Sequence, residues 1–553
     1  MAKELTRRKK ETTAAATPPL VIGLSDPGMT PLLRAGLGGL AAALRAILLE
    51  RDPKAKWPSP VELGPGRVTV EPTRVTLDWG GEPPVATLRV LFERGFRIDR
   101  HGLIDLAGTY EPNRPPDLAV AVALQGGLKR TFLQHGKTTT KSGAPRAVTV
   151  EIDEVPATTQ VQPYSAYAHQ GASEDVLAAM KSGSVKLAGW AYPGGAQRHV
   201  DFPETKCSFS ASQVIVACFA LSGCLSFEVA RGGGGALVVV EPTDLVRFAA
   251  LRPRLAPRRL AEAHVTGPGD ALLAVHLAMR MDGTAGGRPE IGASHGILLR
   301  ATPWVKKQKY RTALVDAESV PPERVQAYAD LVSALPTTIR PTTDKLRSAE
   351  DEADEKASFF VATSALRAFV AENLASGRPW YQGFTGATTG GKKPRFIHYF
   401  RARDGKGLGA LYLDERKGLV AMLKHVEEAE GALIRSVHTA LRQRFGAIAD
   451  ECKGLPLATL KNRFAGERDR WRLAFAGSKT PAQIRAALAD LWSRAGANKE
   501  LRESWNLVLP LLRAEHWQAA RDLALVALAS YSGREEDTGD AVSEADATSD
   551  EEN

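Results

Sequence analysis

Near residue 340 the hydrophobic period of this chain changes, and that switch limits the fold more than any single motif does. Before it, short β-like runs are cut by Gly and Pro turns: Arg67–Val70, Arg74–Trp79, Thr87–Phe92, Leu118–Ala123, Ala147–Ile152, Gln213–Phe219, Ala236–Val240 and His295–Arg300. Helical patterns at Ser173–Lys181, Asp270–Arg280 and Pro322–Leu335 intervene. An earlier helix, Pro31–Arg51, repeats Leu33, Leu37, Leu40, Leu44, Ile47 and Leu48 mostly at steps of three or four. Its Gly36, Gly38 and Gly39 cost helix propensity, so they are expected to admit a close-packed neighbour.

Beyond residue 340 the pattern is helical: Ala357–Leu374, a long Asp414–Ile448, then Pro481–Arg494, Leu501–Leu509 and Trp517–Ala529. The expectation is therefore an α+β chain. A disordered basic arm (1–19) precedes a large mixed α/β region (20–340). A polar linker carrying Pro341 (341–356) leads to a helical bundle (357–534) and a disordered acidic tail (535–553).

Charge is spread unevenly over this plan. The formal net charge is +9, yet residues 535–553 hold nine acids and no base, so the rest of the chain carries twice that value. A body that basic points to a polyanionic partner. The N-terminal arm lacks the apolar core of a secretory signal, and no window approaches 18 continuous apolar residues, so no membrane span is expected. Four cysteines in 553 residues suit a reducing compartment, and the cytoplasm is the expected location. Cys207, Cys218 and Cys224 lack ligand spacing and read as buried structural residues.

Arg378–Arg403 carries the sharpest chemical signal: six Lys/Arg, six aromatics, a Gly/Thr-rich turn and no acid. Cations neutralise phosphates, and rings stack on bases or sugars. Arg378, Trp380, Tyr381, Lys392, Lys393, Arg395, His398 and Tyr399 are its candidates for holding RNA or DNA backbone. Gly386–Lys393 approaches a P-loop but has Lys393 where Ser or Thr should hold magnesium, and no strand precedes it. A basic phosphate-gripping turn and a plain solvated loop are the readings left.

Three further basic clusters stand out. Gln125–Lys141 contains Gln125, Lys129, Arg130, Gln134, His135, Lys137 and Lys141, residue types that read base edges or bind phosphates; a hairpin surface accounts for it equally. In Trp304–Arg311, strand alternation sets Lys307, Lys309 and Arg311 on one side, with Lys306 beside them, although edge strands commonly carry lysine. The long helix and its successor bring Arg435, His438, Arg442, Lys461, Arg463 and Arg468, which also fit an ordinary solvated face.

Catalytic signatures are sparse. There is no His-Asp dipeptide, no HExxH and no CxxC. Gly292-Ala-Ser-His-Gly296 matches a nucleophile-elbow pattern, but a β-like run follows it where a helix is required. No enzyme is expected, and no cofactor or metal.

Four blocks in order resemble a known family. They are Arg34–Leu40, Thr131–Thr138, the pair Trp380–Phe384 and Thr389–Tyr399, and Trp517–Tyr531. Together they resemble the large subunit of type I CRISPR Cascade complexes, the Cas-eight family in its myxobacterial-type subtype, over about residues 30–531. The resemblance implies a non-enzymatic subunit that recognises the protospacer-adjacent motif (PAM) of target double-stranded DNA and promotes R-loop formation. It implies crRNA, the Cascade backbone and handle-binding subunits, and a helicase-nuclease or a transposition apparatus as partners. On that mapping the cluster of Gln125, Lys129, Arg130, Gln134, His135, Lys137 and Lys141 would face the PAM duplex. Lys306, Lys307, Lys309 and Arg311 would join the 378–399 residues on nucleic-acid backbone. Arg435, Arg442, Lys461, Arg463 and Arg468 would track the displaced strand. Met422 fits an apolar helix face, while some type I systems start a separate small subunit near such a position. A nucleic-acid enzyme with a dispersed active site and a general RNA- or DNA-binding scaffold remain the competing readings.

Overall fold

The computed structural model describes residues 17–134, 138–152, 155–187, 207–230, 234–281, 291–302, 305–341, 359–386 and 408–531. The basic arm up to residue 16, most of the 341–356 linker and the acidic segment lie outside the described residues. The chain divides into two compact units: Met1–Ser319 with Ile339–Val361, and Val320–Thr338 with Ala362–Asn553. The α+β expectation holds, with sheets in the first unit and helices in the second. The division is not a single cut at 340, because the helix after Pro321 belongs with the helical unit.

The strands of the first unit include β1 (Leu20–Gly23), β2 (Val61–Leu63), β3 (Gly66–Val70), β4 (Arg74–Asp78), β5 (Phe96–Ile98), β6 (Ile104–Leu106), β7 (Thr139–Lys141), β8 (Arg146–Ile152), β9 (Val155–Val161), β10 (Tyr164–Tyr167), β11 (Val185–Leu187), β12 (Cys207–Phe209), β13 (Leu225–Val229), β14 (Gly235–Pro242), β15 (His264–Val265), β16 (Ile291–Thr302) and β17 (Val305–Ala317), and a further pair, Thr338–Pro341 with Phe359–Ala362, lies mostly within it. Its helices are α1 (Pro31–Arg51), α2 (Pro84–Gly95), α3 (Leu118–Arg130), α4 (Ser173–Ser182), α5 (Ala211–Gly223), α6 (Leu245–Leu255) and α7 (Pro268–Met281). Two sheets organise it: an antiparallel β1-β4-β3-β2 sheet, and a five-stranded β15-β13-β14-β16-β17 sheet in which only β13–β15 is parallel.

Helix α1 forms the centre of this unit. Pro31 opens it and the Thr30 hydroxyl accepts from Leu33 N at 3.4 Å. Its apolar residues are spent on the core, packed on α5, α6 and β14. By length and composition it is the one described helix that would cross a membrane, but most of that window is buried inside the fold. The expected close neighbour is α5. A Cβ on Gly36 would sit 1.8 Å from the Val216 carbonyl oxygen, and one on Gly39 2.2 Å from that of Phe219. Gly223 reciprocates, with 1.8 Å to the Ala35 oxygen. The glycines let two helix backbones touch directly.

Three β-like readings become helices. Thr87–Phe92 lies in α2, where Leu88, Leu91 and Phe92 recur at helical spacing behind Pro84. Leu118–Ala123 lies in α3, burying Ala119, Val120 and Ala123. Gln213–Phe219 lies in α5, which is apolar nearly all round and so shows no period; its signal is the capping box between Ser210 and Gln213.

The second unit comprises α8 (Pro322–Ala334), α9 (Ala365–Ala375), α10 (Leu408–Met422), α11 (Glu428–Glu451), α12 (Leu457–Gly477), α13 (Pro481–Ala495), α14 (Lys499–Glu503), α15 (Trp505–Leu511) and α16 (Trp517–Ser530). The expected Ala357–Leu374 helix begins only after Ser364, whose hydroxyl caps Leu366 N and Arg367 N at 3.1 and 3.2 Å. The expected Asp414–Ile448 helix breaks between α10 and α11, where Glu427 and Glu430 form a capping box. Leu501–Leu509 likewise divides into α14 and α15. Met422 is fully buried, as an apolar helix face requires. Cys218, Cys224 and Cys452 are buried thiols, and burial pushes the Cys224 thiol up to about 12.

Candidate nucleic-acid interfaces

In the first unit, α3 carries Gln125, Lys129 and Arg130 to the wall of an open cavity of about 710 Å³. Close packing on β13 positions the helix: a Cβ on Gly127 would lie 3.2 Å from the Ser226 carbonyl. The Thr131 hydroxyl fastens its end, donating to Gly127 O at 2.9 Å and lying 3.0 Å from Ser226 Oγ. Gln162, Tyr164, Glu228, His264 and Phe360 complete the wall.

The three α3 side chains do different work. Gln125 is buried and both ends of its amide are spent on backbone, accepting from Ile104 N at 3.1 Å and donating to Gln162 O at 3.0 Å. Its part in the fold is structural, which corrects its expected part as a base reader. Arg130 forms an ion pair with Glu228, and His264 Nε2 lies 3.2 Å from the same carboxylate. Burial lowers the pKa of both Arg130 and His264.

Lys129 differs. Its ammonium donates to the Thr139 hydroxyl at 3.1 Å and sits 5.1 Å from the centre of the Tyr164 ring. No carboxylate pairs with it among the described residues. Burial lowers its pKa, and the charge of Lys141 lowers it further. Lys141 is exposed on β7, in register with Tyr164 on β10. Lys141 does not line the cavity, but its charge is close enough to act on Lys129, and an anion between the two cations would relieve their repulsion. Gln134 donates to Arg130 O at 2.8 Å, at the end of α3. His135 and Lys137 lie outside the described residues.

Lys306, Lys307, Lys309 and Arg311 fall on β17, with Lys309 paired to Ala301 and Arg311 to Leu299 on β16. The pairing with β16 shifts register between Lys309 and Val305, and β17 is an edge of its sheet. Trp304 lies outside the described residues. The elbow-like Ser294 is fully buried in the interior of β16, with its hydroxyl 2.8 Å from His276 Nε2. Burial brings the His276 pKa down to about 4. Among the described residues, no group of three or more His, Cys, Asp or Glu is placed to hold a metal ion.

In the second unit the aromatic segment turns inward. Trp380 and Tyr381 are buried, edge-to-face at 5.8 Å, and the Tyr381 hydroxyl bonds Glu430. Asn373 Nδ2 donates to Trp380 O and Gln382 O, both at 2.9 Å. Asp522 on α16 accepts from Gly383 N at 2.7 Å and Thr385 N at 3.0 Å. These two rings are core anchors of a tightly held loop, so the expectation that they stack on nucleic acid is corrected. Arg378 is exposed beside them, while Lys392, Lys393, Arg395, His398 and Tyr399 lie outside the described residues.

Helices α11 and α12 hold the remaining candidates. Arg435 is engaged by Glu500 at 2.7 Å, and Arg463 faces Glu451 at 3.8 Å. Arg468 lies over the Phe445 ring at 5.3 Å. Arg442 and Lys461 are exposed and make no ion pair among the described residues. His438 is partly buried, its Nε2 2.9 Å from Ala527 O.

Known proteins share this arrangement in sequence. Residues 21–218 match the DevT N-terminal domain and residues 423–553 the DevT C-terminal domain. The chain is 51% identical over 539 residues to the CRISPR-associated protein Cas8a1/Csx13 of Myxococcus xanthus (strain DK1622), covering 97% of this chain and 91% of that protein. The chain belongs to the Cas8a1/Csx13 family of CRISPR-associated large subunits. The N-terminal match takes in α1, α3 and the first part of α5, up to Cys218, and the C-terminal match takes in α11 to α16. The five-stranded sheet and the 378–386 loop fall between the two matches. No single motif in the sequence marks the cavity; β13, β10 and α3 come together only through the fold.

Proposed function

We propose that this chain is the large subunit of a type I Cascade surveillance complex, reading the PAM in duplex DNA at the α3 cavity and promoting R-loop formation. Lys129 carries this reading: it is a half-buried ammonium beside Lys141 whose only described polar partner is a hydroxyl. A duplex phosphate at the cavity mouth supplies the missing negative charge, and such contacts position a protein on DNA. Guide pairing then reads the sequence, and the protein reads only the short motif and duplex shape. Arg442 and Lys461 serve the displaced strand. The subunit binds crRNA together with the backbone and handle-binding subunits, works in the cytoplasm, and docks a helicase-nuclease or a transposition apparatus without catalysing a reaction itself. Family membership supports the assembly.

The test is co-expression with its genomic neighbours, purification through a tag on this chain, and sequencing of the RNA that accompanies it. A uniform guide with a repeat-derived 5′ end is expected, and the purified complex should select one short motif from a randomised duplex library. Heterogeneous RNA, or no motif selection, would overturn the reading.

A further inference from the structure

The described residues of the second unit end at Tyr531, which follows α16 directly. That residue lies against α11: its ring is 5.6 Å from the Phe445 ring, nearly parallel to it, and 5.7 Å from His438. His438, Arg442 and Phe445 fall at i, i+4 and i+7, so they share one face of α11. Phe445 meets Phe464 of α12 edge-on at 5.1 Å, and Lys461, Phe464 and Arg468 recur at i, i+3 and i+7 on that helix. A small aromatic seam thus joins the two helices, with Arg442 on one side and Lys461 and Arg468 on the other. Tyr531 stacks on the seam itself.

Past Tyr531 the sequence continues through Ser532-Gly533-Arg534 to Glu535, Glu536 and Asp537, the first of nine acids before Asn553. Four residues reach about 13 Å when extended, at roughly 3.3 Å each. The first acids are therefore within reach of the exposed Arg442 and Lys461. A tether this short holds a ligand at an effective concentration on the order of millimolar.

We propose that the acidic segment Glu535–Asn553 docks on the cationic α11–α12 face of its own chain and competes there with a nucleic-acid strand. The competition rests on the proposed role of this face in binding single-stranded nucleic acid; the docking does not. The segment presents a run of negative charge, occupies the face when no strand is present, and is displaced by a strand that also pairs or binds elsewhere in the complex. The occupied face then rejects stray polyanions, whose weak contacts cannot outcompete a tethered segment.

Two measurements on the full chain test this. Zero-length carbodiimide cross-linking at low salt should join Lys461 to an acid within Glu535–Asp540, and salt raised to about 0.5 M, where screening is strong, should abolish the product. Absence of that cross-link would overturn docking. Next, the chain ended after Gly533, which keeps Tyr531 on its seam, is compared with the full chain for binding a short single-stranded oligothymidylate. Removal of the segment should raise affinity about three- to tenfold, the gain expected from losing a weak tethered competitor. The gain should vanish when Arg442→Ala and Lys461→Ala are both present. An equal gain in that double variant would mean bulk charge, and would overturn competition at this face. If the double substitution leaves oligothymidylate binding by the ended chain unchanged, the strand-binding role of the face fails. The cross-link then still decides docking.

Discussion

Lys129 and Arg130 are neighbours on the same cavity wall, and their replacement by alanine should have opposite consequences. Arg130 neutralises Glu228, a carboxylate with a side chain only 19% exposed. Arg130→Ala removes the guanidinium and leaves that charge only His264 Nε2, 3.2 Å away. Breaking a fully buried pair costs about 3–5 kcal/mol, and the partial exposure of both groups brings this to about 2 kcal/mol. Lys129→Ala orphans nothing charged. It loses one hydrogen bond to Thr139 and a ring contact with Tyr164, each worth about 1 kcal/mol or less. It also removes a desolvated cation and its repulsion with Lys141. These contributions oppose one another, so stability should stay within about 1 kcal/mol of the parent. Binding should behave in reverse. One lost phosphate contact lowers the slope of log K against log salt by about 0.9 on duplex DNA, which is about eightfold in affinity at roughly 0.1 M salt relative to 1 M. The assay is a salt titration of PAM-duplex binding by the purified complex, beside denaturant unfolding of the isolated chain. A Lys129→Ala chain destabilised by more than about 2 kcal/mol with an unchanged slope would refute the reasoning, because Lys129 would then be a structural residue.

Gly36→Ala should destabilise the first unit by about 2 kcal/mol: the backbone overlap with Val216 outweighs the roughly 1 kcal/mol gain in helix propensity, and hydrogen exchange of α1 and α5 should accelerate. Gly446→Ala in α11 meets nothing within 4 Å, so there the propensity gain should appear alone as a rise in the unfolding temperature of the helical unit. Burial holds the His169 pKa down at about 3 and that of His276 at about 4. Their depressed folded values mean that the unfolded chain takes up protons first. Stability of the first unit should therefore fall as pH drops from about 6.5 towards 3, by several kcal/mol in total, and His169→Gln should flatten that fall in denaturant titrations at stepped pH. Asp522→Ala removes the acceptor for Gly383 N and Thr385 N and should cost about 3 kcal/mol, with faster exchange in residues 380–386.

Where the sequence carried local punctuation, the fold was legible. Pro31–Arg51 has a cap, a first-turn proline and a one-sided leucine stripe, and its boundaries match those in the structure. The expected Pro481–Arg494 helix likewise matches α13, which opens at Pro481 behind the Thr480 cap. Failures came where burial erased the period. Helix α5 is enclosed on nearly every side, so Gln213–Phe219 reads as a buried strand. Short windows failed too: six residues of α2 do not separate a period of about 2 from one of about 3.6. The cavity was half legible. Its α3 residues were visible as a basic cluster, but Glu228 and Tyr164 reach it from strands far along the chain, and nothing local told which cation would meet an acid.

Charge and aromatic content overstate a nucleic-acid interface for the same reason. In a sequence, Arg130 and Lys129 count equally, as do Arg435 and Arg442. The fold gives Glu228 to Arg130 and Glu500 to Arg435. It sends the Trp380 and Tyr381 rings inward, where they hold a loop. A cation already matched by a carboxylate is less free to neutralise a phosphate and release the counterion condensed on the DNA, so it adds little to the salt-dependent part of binding. The informative positions are those from which the fold withholds an acid: Lys129 beside Lys141 in one unit, and Arg442 with Lys461 in the other. In the second case the acid is withheld from the folded helices but supplied by the sequence just beyond them, at a distance of a few residues. A face left cationic by its own unit, with nine acids close behind it in the chain, is better suited to exchange of partners than to permanent occupation by either.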